Sequence, residues 1–338
     1  MQLNFLGATG LRVSKLCLGT MTFGQTGWGC DETEAQQIVG TYLDAGGNFF
    51  DCADSYAAGR SEEILGRLIA PHRSEVVVST KVGNRTGAGP NGWGLSRGHI
   101  IDALHASLRR MATDYIDVYH LHYYDTNTPI EETLGTLADC VHAGKIRYIG
   151  CSNFFAWQLA HTSTISRQLG APNIISCQMM YNLVRRDLER EHFAACQALG
   201  IGLITYSPLH SGILATGLTS ADQPPPGSRV AATPSNRRVY FGDDTRADHV
   251  VHGLLSVAQQ AGLTPSTLAL GWVLRRPEIT SVLTGIQTTQ ELTNNIACLN
   301  LQLDDTLWTE LDRVTALPPS YPTDFYTRLP WTLGHRTD

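Results

Sequence analysis

Short apolar runs alternate with longer helical patterns along this chain, and that alternation limits the possible folds more than any other feature. The runs are Lys15–Leu18, Asn48–Asp51, Val76–Thr80, Ile116–His120, Ile146–Gly150, Ile174–Gln178, Gly202–Tyr206 and Thr280–Thr284. Each is too short for a buried helix and reads as a strand. Helical spacing fills the intervals over Glu32–Ala45, Ser61–Ile69, Ser96–Met111, Pro129–Ala143, Phe154–Leu169 and Leu188–Leu199, then twice more over Thr245–Ala261 and Pro265–Arg275. Strand–helix alternation of this kind builds right-handed β-α-β units around a parallel sheet. Eight such units close most economically into an α/β fold of the (β/α)8 TIM-barrel type. The competing doubly wound sheet usually carries G-x-G-x-x-G just after its first strand, and none is found here. A length of 338 residues suits one such barrel spanning the whole chain, 1–338.

Two segments stand outside the repeat. Leu3–Lys15, with a turn at Gly10, reads as an N-terminal β-hairpin ahead of the barrel, placed to cap its bottom. A long loop after strand 7, between Tyr206 and Asp244, is rich in Gly, Pro and Ser. Loops of that length in a compact domain are usually functional or mere insertions, and loops after strand 7 of such barrels often hold phosphate.

Composition narrows the partners. Lys and Arg number 25 against 31 Asp and Glu, a net charge of −6, which argues against a dedicated nucleic-acid binder. No apolar run of membrane-spanning length occurs. The opening MQLNFLGATG lacks the basic start of a signal peptide, so none is expected. Cys17, Cys30, Cys52, Cys140, Cys151, Cys177, Cys196 and Cys298 are scattered, with no C-x-x-C pair. Reduced thiols in a cytoplasmic setting are the expectation.

Catalysis in a (β/α)8 barrel gathers where strands give way to the loops that follow them. Strand two ends in Asp51, with Tyr56 in the next turn; strand three ends in Lys81; strand four ends in His122. Strand five runs into Ser152 and Asn153, strand six ends in Gln178, and strand seven ends in Tyr206, Ser207 and Pro208. Singly, each has an ordinary reading as a cap, a solvated charge or a packing residue. Together they put Asp, Tyr, Lys and His at one rim.

At this point the chain resembles the aldo-keto reductases, from GLRVSKLCLGTMTFG through FFDCADSYAAGRSEEILGR, STKVG, DYIDVYHLH, GKIRYIGCSNF, QMMYN, ITYSPLHSGIL and TPSTLALGWVLRRP to TGIQTTQELTNNI. The resemblance implies a catalytic tetrad at Asp51, Tyr56, Lys81 and His122. Its chemistry is coherent. Hydride delivery to a carbonyl carbon loads negative charge onto the oxygen, and a nearby acid must supply a proton. Free tyrosine, with a pKa of about 10, is a reluctant acid, and a neighbouring ammonium is expected to pull that value down. Asp51 would hold Lys81 charged, and His122 would polarise the carbonyl.

The resemblance also implies a nicotinamide dinucleotide stretched across the barrel mouth, NADP(H) in preference to NAD(H), and a small carbonyl or alcohol substrate. Gly19, Thr20 and Met21 match contacts near the nicotinamide, as does Asp51. Ser152, Asn153 and Gln178 match the carboxamide partners, and Tyr206 matches the aromatic that stacks on the ring. Ser207, Pro208, Leu209 and Gly212 match the start of the pyrophosphate loop, and Arg229 a phosphate-binding arginine. Gly285, Gln287, Glu291, Asn294 and Asn295 match the adenosine end. Two departures bear on the cofactor. Leu218 stands where many relatives carry Lys, and Gly285–Asn295 holds no basic residue, with Glu291 in place of a common Gln.

Two other functions compete. His120 and His122, on one face of a strand, could ligate zinc in a barrel hydrolase, although no further ligand set is found and no metal is expected. A nucleotide-binding regulatory module like the β subunits of potassium channels is the other, and against it stands the complete tetrad. For the substrate pocket, Trp28, Trp93 and Tyr123 in the strand-to-helix loops are candidates, while Tyr321, Phe325, Tyr326 and Trp331 in the tail either fold over the mouth and wall the pocket or pack on the outside of the barrel.

Overall fold

A computed structural model of the chain describes residues 1–234, 241 and 245–327. Strands β1 (Leu3–Phe5) and β2 (Arg12–Ser14) pair antiparallel as the expected hairpin. Eight parallel strands then close into a barrel: β3 (Leu16–Gly19), β4 (Phe49–Asp51), β5 (Val77–Val82), β6 (Ile116–Leu121), β7 (Ile146–Ser152), β8 (Ile174–Met180), β9 (Gly202–Tyr206) and β10 (Ile279–Gly285), with β10 pairing back to β3. Each predicted strand is present, displaced by at most a residue or two at its ends.

Between strands run α1 (Glu32–Asp44), α2 (Arg60–Ile69), α3 (Arg97–Met111), α4 (Ile130–His142), α5 (Ala156–Leu169) and α6 (His192–Leu199). Helices Arg246–Ala261 and Pro265–Leu274 precede β10, and Thr289–Ala297 and Asp305–Val314 follow it. Local chemistry starts these helices. The Asp31 carboxylate accepts the Glu34 N–H ahead of α1, and the Thr264 hydroxyl accepts the Thr267 N–H with Pro265 in the first turn.

One predicted helix is corrected. Leu188–Leu199 is not continuous: a short 3-10 turn, Asp187–Glu189, precedes α6. The reason is tertiary. The Glu189 carboxylate accepts from Arg186, from Arg276 and from the Tyr181 hydroxyl, so its side chain is turned toward the loop ends that carry them. Arg186 and Arg276 also flank the ring of Trp272, which is fully buried and donates to Asp312.

The barrel interior is layered. At the bottom, Cys17, Phe49, Val77, Val118, Ile175 and Ile204 form one buried cluster with Leu6 and Val13 of the hairpin. The Ala8 N–H donates to Gly200 O at 2.8 Å, which seats the hairpin across that end. Full burial of such side chains contributes about 1.5–3 kcal/mol each, so the cap is part of the core. The next layer is polar: Ser79, His120 and Ser176 are all buried. Gly150 makes room there, because a Cβ at that position would lie 2.3 Å from His120 Cδ2. Above this polar layer the barrel opens.

Candidate active site

The three strands β4, β5 and β6 bring the four predicted catalytic residues together at the mouth. Lys81 is completely buried, and its ammonium spends its three protons on Asp51 Oδ2 at 2.5 Å, Cys52 O at 2.7 Å and Tyr56 Oη at 3.2 Å. Asp51 is fixed from its other side, where Oδ1 accepts from Ser79 Oγ at 2.7 Å and Gln178 Nε2 at 2.8 Å. With Lys81 donating to it, the Tyr56 phenol keeps its own proton available for the cavity. His122 sits edge to face with Tyr56, ring centroids 6.3 Å apart. Its Nδ1 lies 3.1 Å from the amide nitrogen of Asn84.

The opposite wall comes from β7, β8 and β9. Ser152 Oγ donates to Gln178 O at 2.8 Å, and Asn153 Nδ2 donates to His122 O at 3.0 Å. The Tyr206 hydroxyl reaches Asn153 Oδ1 at 2.8 Å, which holds the Tyr206 ring against the cavity. The loop beyond β9 turns through left-handed residues at Ser207, His210, Ser211 and Gly212. Asn182 pins it by donating to Ser207 O at 2.9 Å.

A cavity of about 800 Å³ runs from these walls past Met21, Gly212 and Arg229 to Gln287, Glu291 and Asn295. At the far end Gln287 donates to Trp28 O at 2.6 Å, and the Arg229 guanidinium lies over the Trp28 ring, 5.2 Å from its centroid. Glu291 accepts the Gln287 N–H at 2.8 Å. Glu34 similarly accepts both the N–H and the hydroxyl of Thr289.

Comparison with known proteins fits this arrangement. The model of the Aldo/keto reductase family matches residues 15–316. The chain belongs to the aldo-keto reductase family. Its relatives include a protein of Oryza sativa subsp. japonica named "Probable voltage-gated potassium channel subunit beta", 38% identical over 89% of this chain and 92% of that protein. They also include an aldo-keto reductase of Fusarium vanettenii, 31% identical over 89% of this chain and 87% of that one. A third, an aldo-keto reductase of Alternaria alternata, is 32% identical over 93% and 92%.

The electrostatics of this aldo-keto reductase site differ from the sequence expectation in one respect. Burial pushes the Tyr56 phenol above its ordinary value by more than Lys81 pulls it down, so the net shift is upward. Burial alone would depress the Lys81 ammonium, but Asp51 and Tyr56 more than offset that and hold it above its usual range. His122 is lowered to about 3, by burial first and by Lys81 second, and is therefore a neutral ring at physiological pH.

Most cofactor candidates line the cavity: Gly19, Met21, Asp51, Ser152, Asn153, Gln178, Tyr206, Ser207, Pro208, Leu209, Gly212, Arg229, Gly285, Gln287, Glu291, Asn294 and Asn295. Thr20 does not. It is buried behind the wall, donating its hydroxyl to Asp51 O at 3.1 Å and accepting from Ser61. Of the pocket aromatics, Trp28 lines the cavity, whereas Trp93 and Tyr123 are not among its lining residues. Trp93 lies beneath Arg85, and the Tyr123 hydroxyl donates to Gly83 O. Tyr321 and Phe325 face solvent, and Trp331 lies outside the described residues.

His120 does not face the cavity. It is buried one layer down against Ser176 Oγ at 3.0 Å, and burial lowers its pKa to about 4. Among the described residues no group of three His, Cys, Asp or Glu is arranged to hold a metal ion. Ser55 and Asn84, which sequence reasoning passed over, also line the cavity. All eight cysteines are buried free thiols, including Cys151 and Cys177, which are partners in register on β7 and β8. No helix among the described residues is long and apolar enough to cross a membrane.

Proposed function

We propose that this protein is an NAD(P)-dependent oxidoreductase that interconverts a carbonyl compound (an aldehyde, ketone or sugar) and its alcohol, with Tyr56 as the general acid and base. The observation that carries this reading is the Lys81 ammonium, which bridges Asp51 and the Tyr56 phenol in a fully buried position. The cavity fits an extended dinucleotide. Its volume of about 800 Å³ is near the upper end for small-molecule sites. Amides stand at one end, the Tyr206 ring stands beside them, and an arginine and further amides stand at the other. Toward Gly212 the backbone is bare, with nothing within 4 Å of an added Cβ.

A reduced nicotinamide bound there supplies the hydride. Ser152, Asn153 and Gln178 would hold its carboxamide, and Tyr206 would lie against the ring. Arg229 would meet phosphate, and Gln287, Glu291, Asn294 and Asn295 would meet the adenosine. The protein's own part is proton management. Tyr56 donates its phenolic proton to the carbonyl oxygen as charge builds there, and the phenolate left behind is held by Lys81. His122, neutral, donates a hydrogen bond to the same oxygen and fixes which way the carbonyl faces. In the oxidation direction the Tyr56 phenolate takes the alcohol proton. The half-buried Arg229, lying over Trp28, is the cation on which the reading of NADP(H) over NAD(H) rests, and the Glu291 carboxylate at the same end acts against it.

The name of the rice relative raises the reading of a nucleotide-binding regulatory subunit. The assembled tetrad favours turnover. Eight free buried thiols are in keeping with a reducing, cytoplasmic compartment. The test is a coupled screen of aldehydes, ketones and sugars with NADPH and with NADH. Turnover of at least one carbonyl supports the reading. Nucleotide binding without turnover of any of them would support the regulatory alternative.

A further inference from the structure

Asn84 lies two residues beyond β5, and strand alternation alone would not turn it toward the mouth. The bend is made at Gly83, where φ is +132°, a conformation that L side chains rarely adopt. The Tyr123 hydroxyl holds the Gly83 carbonyl in that turn. The Asn84 side chain consequently enters the cavity wall between two catalytic loops. Its amide nitrogen lies 3.0 Å from Ser55 Oγ and 3.1 Å from His122 Nδ1.

An amide nitrogen has two protons and no acceptor capacity. Both protons are therefore committed, one to the hydroxyl beside Tyr56 and one to the histidine ring. With the amide nitrogen turned to the ring, His122 Nδ1 is the acceptor, which in a neutral ring puts the single proton on Nε2. We propose that Asn84 is a positioning residue that fixes His122 as the Nε2–H tautomer and so makes it a donor toward the substrate oxygen. This rests on the reading of His122 as the group that polarises the carbonyl. The alternative tautomer would aim a lone pair at that oxygen and repel the charge that develops there. The same amide ties the loop carrying Tyr56 to the one following β5, so acid and polariser are set relative to each other through one side chain. Burial and Lys81 keep the ring neutral, and only in a neutral ring does the choice of tautomer matter.

The proposal is tested on the free protein by nitrogen-15 spectroscopy of labelled histidine, with the His122 signals identified by their loss in His122→Gln. The wild type is expected to show Nδ1 unprotonated and Nε2 protonated. In Asn84→Asp the carboxylate accepts instead, and Nδ1 is expected to gain a proton. Asn84→Ala is expected to lower kcat by about ten- to a hundred-fold, by analogy with the loss seen when the partner that orients a metal-bound histidine is removed, with nucleotide Kd within two-fold of wild type. A wild-type ring protonated at Nδ1, or an Asn84→Asp ring unchanged from wild type, overturns the assignment whether or not Asn84→Ala folds. These spectra do not depend on turnover. A protein that reduces no carbonyl sinks the oxidoreductase reading separately, and an active protein with the wrong tautomer sinks only the role of Asn84.

Discussion

The two ends of the cavity are built differently. At the tetrad end Asp51, Lys81 and Gln178 stand on barrel strands, are buried, and are tied through Asp51 to one another and through further bonds to Ser79, Cys52 O and Tyr56. At the adenosine end Arg229 comes from the long loop, Glu291 is exposed, and the ties are single hydrogen bonds, one at the start of a helix and one between loops. A buried, fully partnered charge cluster is costly to break, because removal of one member strands the others. An exposed cluster is screened and forgiving. Substitutions at the first end should therefore act on chemistry by orders of magnitude, and those at the second on cofactor choice by small factors.

Tyr56→Phe should have the largest effect. It removes the proton donor and leaves the cofactor walls intact, so the rate should fall by about 10²–10⁴ with nucleotide Kd changed only a few-fold. Steady-state reduction beside fluorescence titration measures both, and activity above a tenth of wild type would refute the role of Tyr56. Lys81→Met should also abolish turnover, since it strands Asp51 and removes the cation that holds the phenolate. Because the Tyr56 phenol already lies above its ordinary value, it stays protonated through neutral pH. Reduction by the wild type should be flat there, and oxidation should climb with pH. Any residual oxidation by Lys81→Met should need still higher pH. A limb at lower pH would mean that Lys81 does not act on Tyr56.

A buried acid beside the tetrad gives the next effect. Asp54 is 2% exposed, neither carboxylate oxygen has a hydrogen-bond partner among the described residues, and burial followed by Glu62 raises it to about 7 from 3.8. A raised acid holds its proton longer in the folded state than in the unfolded one. Stability is therefore lost as pH rises from about 4 through 7, and the penalty is complete above that window. Asp54→Asn removes the titration. Its stability relative to wild type should be greater at pH 8 than at pH 5, by about 1–3 kcal/mol. Thermal melts at the two values check this, and an equal difference at both would show that Asp54 is not held as a buried acid.

How far the sequence could be read follows the same division. Strands, the capping hairpin and the gathering of Asp51, Tyr56, Lys81 and His122 at one rim were legible because period, turn residues and strand ends depend on local chemistry and chain order; the roles of those four came only from the resemblance. The break ahead of α6 was not legible, because Glu189 is claimed by Arg276, which is distant in sequence. Thr20 was read as a cofactor contact from the resemblance, and its burial behind the wall, on Asp51 O and Ser61, was not legible. Asn84 was missed because its direction depends on a glycine bend, although Gly83 followed by an amide at a strand end was the available signal. The tail aromatics stayed open between the mouth and the barrel's outside, because nothing in Tyr321 or Phe325 says whether a ring meets solvent or a mouth.

At the adenosine end, Arg229→Ala should weaken NADPH by about 1.5–3 kcal/mol, the range for a hydrogen bond to a charged group, and hardly touch NADH. Its guanidinium leans on Trp28, whose carbonyl holds Gln287, so it stands near the ribose end of the cavity. Equal weakening of both nucleotides in Kd measurements would move Arg229 to the pyrophosphate and remove its part in NADP(H) preference.

Glu291→Gln should have the smallest effect and the sharpest sign. The Glu291 carboxylate accepts the Gln287 N–H, and a Gln carbonyl oxygen can accept the same proton, so the loop should hold its shape while the charge disappears. A negative charge beside a 2′-phosphate repels it, whereas beside a bare ribose it can accept hydroxyl protons. The substitution should therefore improve NADPH relative to NADH. The side chain is exposed, which limits the gain to under about 1 kcal/mol. Being Coulombic, the gain should shrink as salt rises and the Debye length falls below the separation. Paired Kd values for both nucleotides at low and high salt measure it. If NADH improves instead, Glu291 is not near the 2′ position, and the contrast between a rigid chemical end and a tunable recognition end rests on Arg229 alone.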